Sequence, residues 1–403
     1  MNPALDSRYS WYRLVLTLAM GTIACAGTWS VIVALPTVQA EFGVSRAGAS
    51  LPYTFCMIGF AFGNFAMGRI ADRFGIIVPL MAGAALICAG YILAGLSQTL
   101  LQFALAHGLL IGLGSAAGFA PLIADISHWF RKYRGIAVVA GATGSYGAGT
   151  LWPLIIDYGI ANHGWRATHA AMGIFCGLAM PPLAMLLRRR PSAAMYAAAE
   201  QSASAARGDL GLSANALQGL LCAAGFACCV AMAMPQVHIV AYCGDLGYGV
   251  TRGAEMLSLM LGLGILSRII SGFAADRIGG AATLFIGSLM QAVALFLYLF
   301  FNGLSSLFVI SGIFGLFQGG IVPMYALIIR EYLPPKDAGA RIGIVLMMTI
   351  IGMAAGGYLS GLIFDHTGSY RLAFLHGLAW NALNLALGFW LVMKPRPPRL
   401  QLA

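Results

Sequence analysis

Arg268 has more chemistry to offer than any other single residue of this chain. It stands alone in the apolar stretch Gly262-Leu-Gly-Ile-Leu-Ser-Arg268-Ile-Ile-Ser-Gly-Phe-Ala-Ala275. A guanidinium is a rigid planar fork that matches a carboxylate or phosphate through two parallel N–H bonds. At the middle of a bilayer such a charge costs ~3 kcal/mol on insertion scales and more on others, so it marks a functional site by default. Other polar groups lie in apolar runs at comparable depth: Asn64, Tyr146, His238, Gln318 and Tyr325. His238 can bind a carboxylate or carry a proton near neutral pH, or hydrogen-bond a neighbouring helix. Asn64, Tyr146, Gln318 and Tyr325 can shape a cavity or serve as interhelical hydrogen bonds. His107 and His376 are read as structural.

The elements that must position these groups follow from composition. Of the 403 residues, 60% are hydrophobic and only 9% charged, against about 25% charged in soluble domains. The solvent of this chain is therefore mostly lipid. Each crossing needs roughly 20 apolar residues. Apolar runs fall near 12–36, 50–69, 76–97, 101–126, 135–160 and 165–187, then near 214–241, 253–275, 281–301, 305–329, 341–363 and 372–393. The expected fold is an all-α membrane protein of twelve transmembrane helices. The first run is too long for a cleavable signal, and no small-residue cleavage site follows it.

Gly is abundant, at 52 residues, and the pairs Gly108/Gly112, Gly114/Gly118, Gly315/Gly319 and Gly352/Gly356 have GxxxG spacing. These read as faces on which helices approach closely. The eight Cys show neither metal-site spacing nor a secreted disulfide pattern. No metal or cofactor is expected. Thr143-Gly-Ser145-Tyr-Gly147 fails the G-x-S-x-G pattern at its first position, and no P-loop is present. An enzyme is not expected.

The net charge of +10 does not point to nucleic acid, because of where the charge sits. Eighteen of the 23 Lys and Arg fall in the even-numbered loops and the two tails, four in the odd-numbered loops, and Arg268 is the one left over. That bias orients the chain with both termini cytoplasmic, multi-pass in the cell (inner) membrane. Residues 188–213 form the longest polar segment. They divide the chain into an N-terminal six-helix bundle (1–187), a cytoplasmic linker (188–213) and a C-terminal six-helix bundle (214–403).

The halves echo one another. Gly68-Arg-Ile-Ala-Asp72-Arg73-Phe-Gly75 recurs as Gly272-Phe-Ala-Ala-Asp276-Arg277-Ile-Gly279, 204 residues on, and Gly164-Trp165-Arg166 recurs as Ser369-Tyr370-Arg371, 205 residues on. Two pseudo-symmetric bundles in the same orientation follow, an architecture of one large class of secondary transporters whose sites lie near the midplane between halves. Arg268 precedes Asp276 by eight residues, roughly 12 Å along a helix, in a hydrocarbon core about 30 Å thick. It is therefore expected near the midplane.

These motifs resemble the major facilitator superfamily over the whole chain. The resemblance implies that Asp72, Arg73, Asp276 and Arg277 form a cytoplasmic gate, with Asp125 as a partner for Arg73. Three further segments resemble its monocarboxylate transporter-like branch and the related oxalate/formate antiporters: Trp129-Phe-Arg-Lys-Tyr-Arg134-Gly-Ile-Ala137, Pro235-Gln236-Val-His238-Ile-Val-Ala-Tyr242, and Ser267-Arg268-Ile-Ile-Ser-Gly272. In that branch the Arg of helix 8 binds the substrate carboxylate. Two departures are informative. Helix 11, Ile342 to Phe364, has neither Lys nor Arg, which suits a singly charged anion. Gly264 occupies the turn before Arg268, where animal members carry an acid. The expected function is alternating-access transport of a small organic anion, a monocarboxylate, with H+ as the coupled ion, by a monomer in the lipid bilayer. Efflux of amphiphilic drugs and a non-transporting receptor of the same fold are the alternatives.

Overall fold

A computed structural model describes residues 5–130, 134–189, 212–332 and 335–393. Most of the 188–213 linker and part of the 129–137 loop lie outside the described residues. The described chain forms α1 (Arg8–Phe42), α2 (Arg46–Phe74), α3 (Ile77–Leu96), α4 (Leu100–Ile126), α5 (134–163) and α6 (165–186). Then follow α7 (Ala214–Asp245), α8 (Val250–Ile278), α9 (Gly280–Leu297), α10 (Leu304–Ile329), α11 (Pro335–Thr367) and α12 (Arg371–Val392). By length and apolarity these make eleven candidate spans, one of them Val139–Leu186 with 48 residues. At 1.5 Å per residue that stretch is roughly 72 Å long, more than twice the core thickness. Gly164, with φ 78 and ψ 158, breaks it into two crossings.

The turn glycines fix the internal repeat. Gly75 (φ 85, ψ 168) and Gly279 (φ 84, ψ 161) end α2 and α8 in matching conformations that are essentially closed to other residues. Gly164 and Gly368 both have positive φ and stand 204 residues apart.

Side-chain caps fix where two helices begin: α2 one turn ahead of its apolar run and α7 at the start of its run. The Ser45 and Ser213 side chains accept from the backbone N–H of Gly48 and Ala216, each at 3.1 Å. Glycine faces let the helices close up. Added methyl groups at Gly108 and Gly112 of α4 would collide with the backbone of α2, and at Gly315 and Gly319 of α10 with that of α8. Across the halves α2 packs on α11, α5 on α8 and α1 on α7.

Four helices are broken at mid-height, and the breaks position the site. α1 bends at Cys25 and α5 at Thr143. α4 loosens into a π-helical segment (Ala106–Gly112) and breaks at Phe119, next to Pro121. α10 breaks at Gly319–Gly320, ahead of Pro323. A proline has no N–H to offer the carbonyl four residues earlier. Pro323 therefore leaves the Gly319 carbonyl without its helical partner.

Candidate functional site

Arg268 is buried, 6% exposed, and two of its five N–H donors go to these helix breaks. Nε donates to the Gly319 carbonyl of α10 at 3.2 Å, and Nη1 to the Ala142 carbonyl of α5 at 2.6 Å. The guanidinium lies over the Tyr146 ring, 3.9 Å from its centroid. Among the described residues no carboxylate pairs with it. Carbonyl dipoles and an aromatic face lower the cost of the charge without cancelling it. A carboxylate would form the stronger, charge-assisted bonds.

The neighbouring groups are fixed in one chain of contacts. The Tyr146 hydroxyl donates to Gln318 Oε1 at 3.2 Å, and Gln236 Nε2 donates to the same oxygen at 2.9 Å. Gln318 is fully buried, and its Nε2 has no hydrogen-bond partner. An unpaired buried donor costs about 1–3 kcal/mol, so an acceptor brought in from outside gains there. Gly264 makes the arrangement possible. A methyl group on it would collide with the Tyr146 ring and stand 3.5 Å from Gln318 Nε2. The missing acid of the preceding turn is thus replaced by a flat seat for an aromatic ring. The Trp29 indole donates to the Ser145 carbonyl at 3.0 Å, which ties α1 to the same corner.

The other expected site residues lie elsewhere. His238 is two residues from Gln236, roughly 200° around the helix, so the two face apart. Its Nε2 bonds the Gly357 carbonyl at 2.8 Å and its Nδ1 meets the Tyr370 hydroxyl at 3.2 Å, both within the second half. Seven residues would bring Tyr325 back to the face of Gln318 in an unbroken helix. The break at Gly319–Gly320 turns it away, and its hydroxyl donates to Asn384 Oδ1 at 2.8 Å. Asn64 bonds its own α2, donating to the Phe60 carbonyl at 2.7 Å, and its Oδ1 accepts from Ala120 N at 3.1 Å, where α4 restarts. Asn64 and Arg268, 204 residues apart, each brace a proline-broken helix.

Of the expected gate residues, Asp125 pairs with Arg13 rather than with Arg73. The bond is bidentate, 2.7 Å to Nε and 2.9 Å to Nη2, and Arg13 also donates to the Leu187 carbonyl at 3.0 Å. The partner differs because Arg13 of α1 is fully buried beside Asp125, whereas Arg73 is exposed with its guanidinium 5.2 Å from the Phe74 ring. Arg277 is likewise exposed. The side chains of Asp72 and Asp276 lie outside the described residues. Sequence reading passed over Gln236 as a site residue, and passed over Pro121 and Pro323. The two prolines, each three residues after a glycine inside an apolar run, are the signal that reveals the breaks.

The sequence profile of the Major Facilitator Superfamily matches residues 17–308 and 220–403. The chain belongs to the Major Facilitator Superfamily. It is 25% identical to monocarboxylate transporter 13 of Bos taurus over 322 residues, covering 78% of this chain and 73% of that protein. It is 24% identical to the agnestins efflux protein AgnL12 of Paecilomyces divaricatus over 326 residues, 80% and 72% of the two chains. Among solved structures it is similar to a bacterial homologue of the human lysosomal transporter Spinster, with a TM-score of 0.69, 14% identity and 96% of both chains covered. The superfamily membership makes this chain a multi-pass membrane transporter and not an enzyme.

Proposed function

We propose that the protein carries small monocarboxylate anions across the membrane, with Arg268 as the carboxylate-binding residue and H+ as the coupled ion. The observation that carries this reading is a buried guanidinium held by two backbone carbonyls and an aromatic face, with no protein carboxylate on it among the described residues. One cation suits one carboxylate. Tyr146 and Gln318 complete the site, and the free Gln318 Nε2 offers a donor to a second oxygen of the guest. The similarity to monocarboxylate transporter 13 supports the same class. Charge compensation drives the cycle: an entering anion neutralises Arg268 and lowers the cost of burying it while the halves rock. A proton must accompany the anion if the step is to be electroneutral. The charge bias of the loops supports cytoplasmic termini.

His238, Asn64 and Tyr325 support the site from behind by fixing α7, α2 and α10. Asp125 secures α1 to α4 through Arg13, and Asp72, Arg73, Asp276 and Arg277 act at the cytoplasmic loops.

The similarity to an efflux protein supports a second reading, outward movement of larger amphiphiles for which Arg268 is incidental. Uptake of labelled lactate, pyruvate and benzoate into liposomes separates the two. Arg268→Ala should lower carboxylate uptake by ~10- to 100-fold, the weight of one charge-assisted pair, while folded protein remains in the membrane. Wild-type rates in that variant, with no competition among carboxylates, would leave the efflux reading standing.

A further inference from the structure

We propose that Arg46, Asp245 and Asp365 form a gate that closes the transport path at the end of the molecule opposite the two GxxxDRxG loops. Arg46 opens α2 in the first half, whereas Asp245 closes α7 and Asp365 lies near the end of α11, both in the second half. The three are brought together across the interface. Arg46 Nη2 donates to both carboxylate oxygens of Asp245, at 2.9 and 2.7 Å. The backbone N–H groups of Arg46 and Ala47 donate to the two oxygens of Asp365, each at 2.7 Å. A carboxylate of one half thus caps the first turn of a helix of the other, where the helix dipole favours negative charge. The Arg46 guanidinium, 5% exposed as a residue, also lies over the Phe364 ring at 5.0 Å.

The seam continues inward. Added methyl groups at Gly361 and Gly357 of α11 would press on Ser50 and Tyr53 of α2, and the Thr54 hydroxyl donates to the Ala354 carbonyl at 3.3 Å. From Arg46 to Thr54 is roughly 12 Å of helix, so this end is shut for about a third of the bilayer. At the opposite end Arg13 pairs with Asp125 inside the first half, and Arg341 bonds Asn215 and Gln218 inside the second. These contacts stay within a half when the halves part, whereas those of Arg46 must break.

The chemistry suits a contact made and broken once per cycle. Both carboxylates are solvent-exposed, so opening returns them to water at small cost. The geometry also spares the chain an unpaired ion inside the seam when closed, since the buried partner is the arginine alone.

The gate rests on the transporter reading but not on the identity of the substrate, and its test uses none. Nitroxide labels at His163→Cys and His366→Cys, exposed positions of the two halves at this end, report the separation by pulsed electron resonance on the purified full chain. The wild-type background should give a single short distance. Asp245→Asn with Asp365→Asn should add a longer-distance population, several-fold heavier than any in wild type, and Arg46→Ala should do the same. If Arg46→Ala fails to fold, the two exposed aspartates carry the test alone. A distribution identical to wild type, in aspartate variants that still melt cooperatively, overturns the gate. Loss of carboxylate uptake by Arg268→Ala with an unchanged distance bears on the substrate reading and leaves the gate intact.

Discussion

At the scale of single residues, the site is governed by one buried cation and how its neighbours divide their hydrogen bonds. Gln318 gives its carbonyl oxygen to Tyr146 and Gln236, which turns its amide nitrogen into the spare donor. Gln318→Glu keeps both acceptor roles and adds a resident carboxylate beside the Tyr146 ring on which Arg268 lies. This variant should melt higher than wild type and bind carboxylates at least about tenfold more weakly, a change of ~1.4 kcal/mol. A thermal-shift titration checks both halves of the expectation. The burial of Arg268 was legible in the sequence, because a lone charge in an apolar run of spanning length turns to the bundle interior rather than to lipid. The partner of Asp125 was not, because Arg13 lies 112 residues away and nothing local selects it over Arg73.

At the scale of elements, the helix breaks do what side chains alone cannot. They present carbonyl oxygens stripped of their own N–H partners at the depth where a cation needs them. Pro323→Ala should restore an amide for the Gly319 carbonyl and straighten α10. Interior prolines cost a helix ~3 kcal/mol, so the variant should gain thermal stability. It should also lose transport, because Arg268 then competes with a helix for one of its two carbonyls and Tyr325 swings toward the face of Gln318. Parallel melting and uptake measurements decide it; unchanged transport would mean the break is incidental. The crossings themselves were legible, as apolar runs of spanning length separated by polar loops. Helix faces were not. The positions of His238 and Tyr325 were inferred from depth, and depth does not say which way a side chain points. For His238 a two-residue step reverses the face, and for Tyr325 the break does so.

At the scale of the whole molecule, duplication explains why equivalent positions carry different chemistry on one scaffold. Asn64 and Arg268 both hold a proline-broken helix, yet Asn64 satisfies a restarting N-terminus whereas Arg268 satisfies ending carbonyls. The sidedness of this scaffold has a direct check. Reporter proteins fused after residue 403 and inserted between residues 190 and 211 should both be active only on the cytoplasmic side; activity of either outside the cell would reverse the charge-based orientation.

The two carbonyls that hold Arg268 belong to different halves, α5 and α10. The Gly319 carbonyl moves with Arg268, whereas the Ala142 carbonyl belongs to the other half, so a rocking motion of the halves takes away only one of the two. Under the proposed reading an empty carrier surrenders that bond at each passage, and a bound carboxylate would take its place.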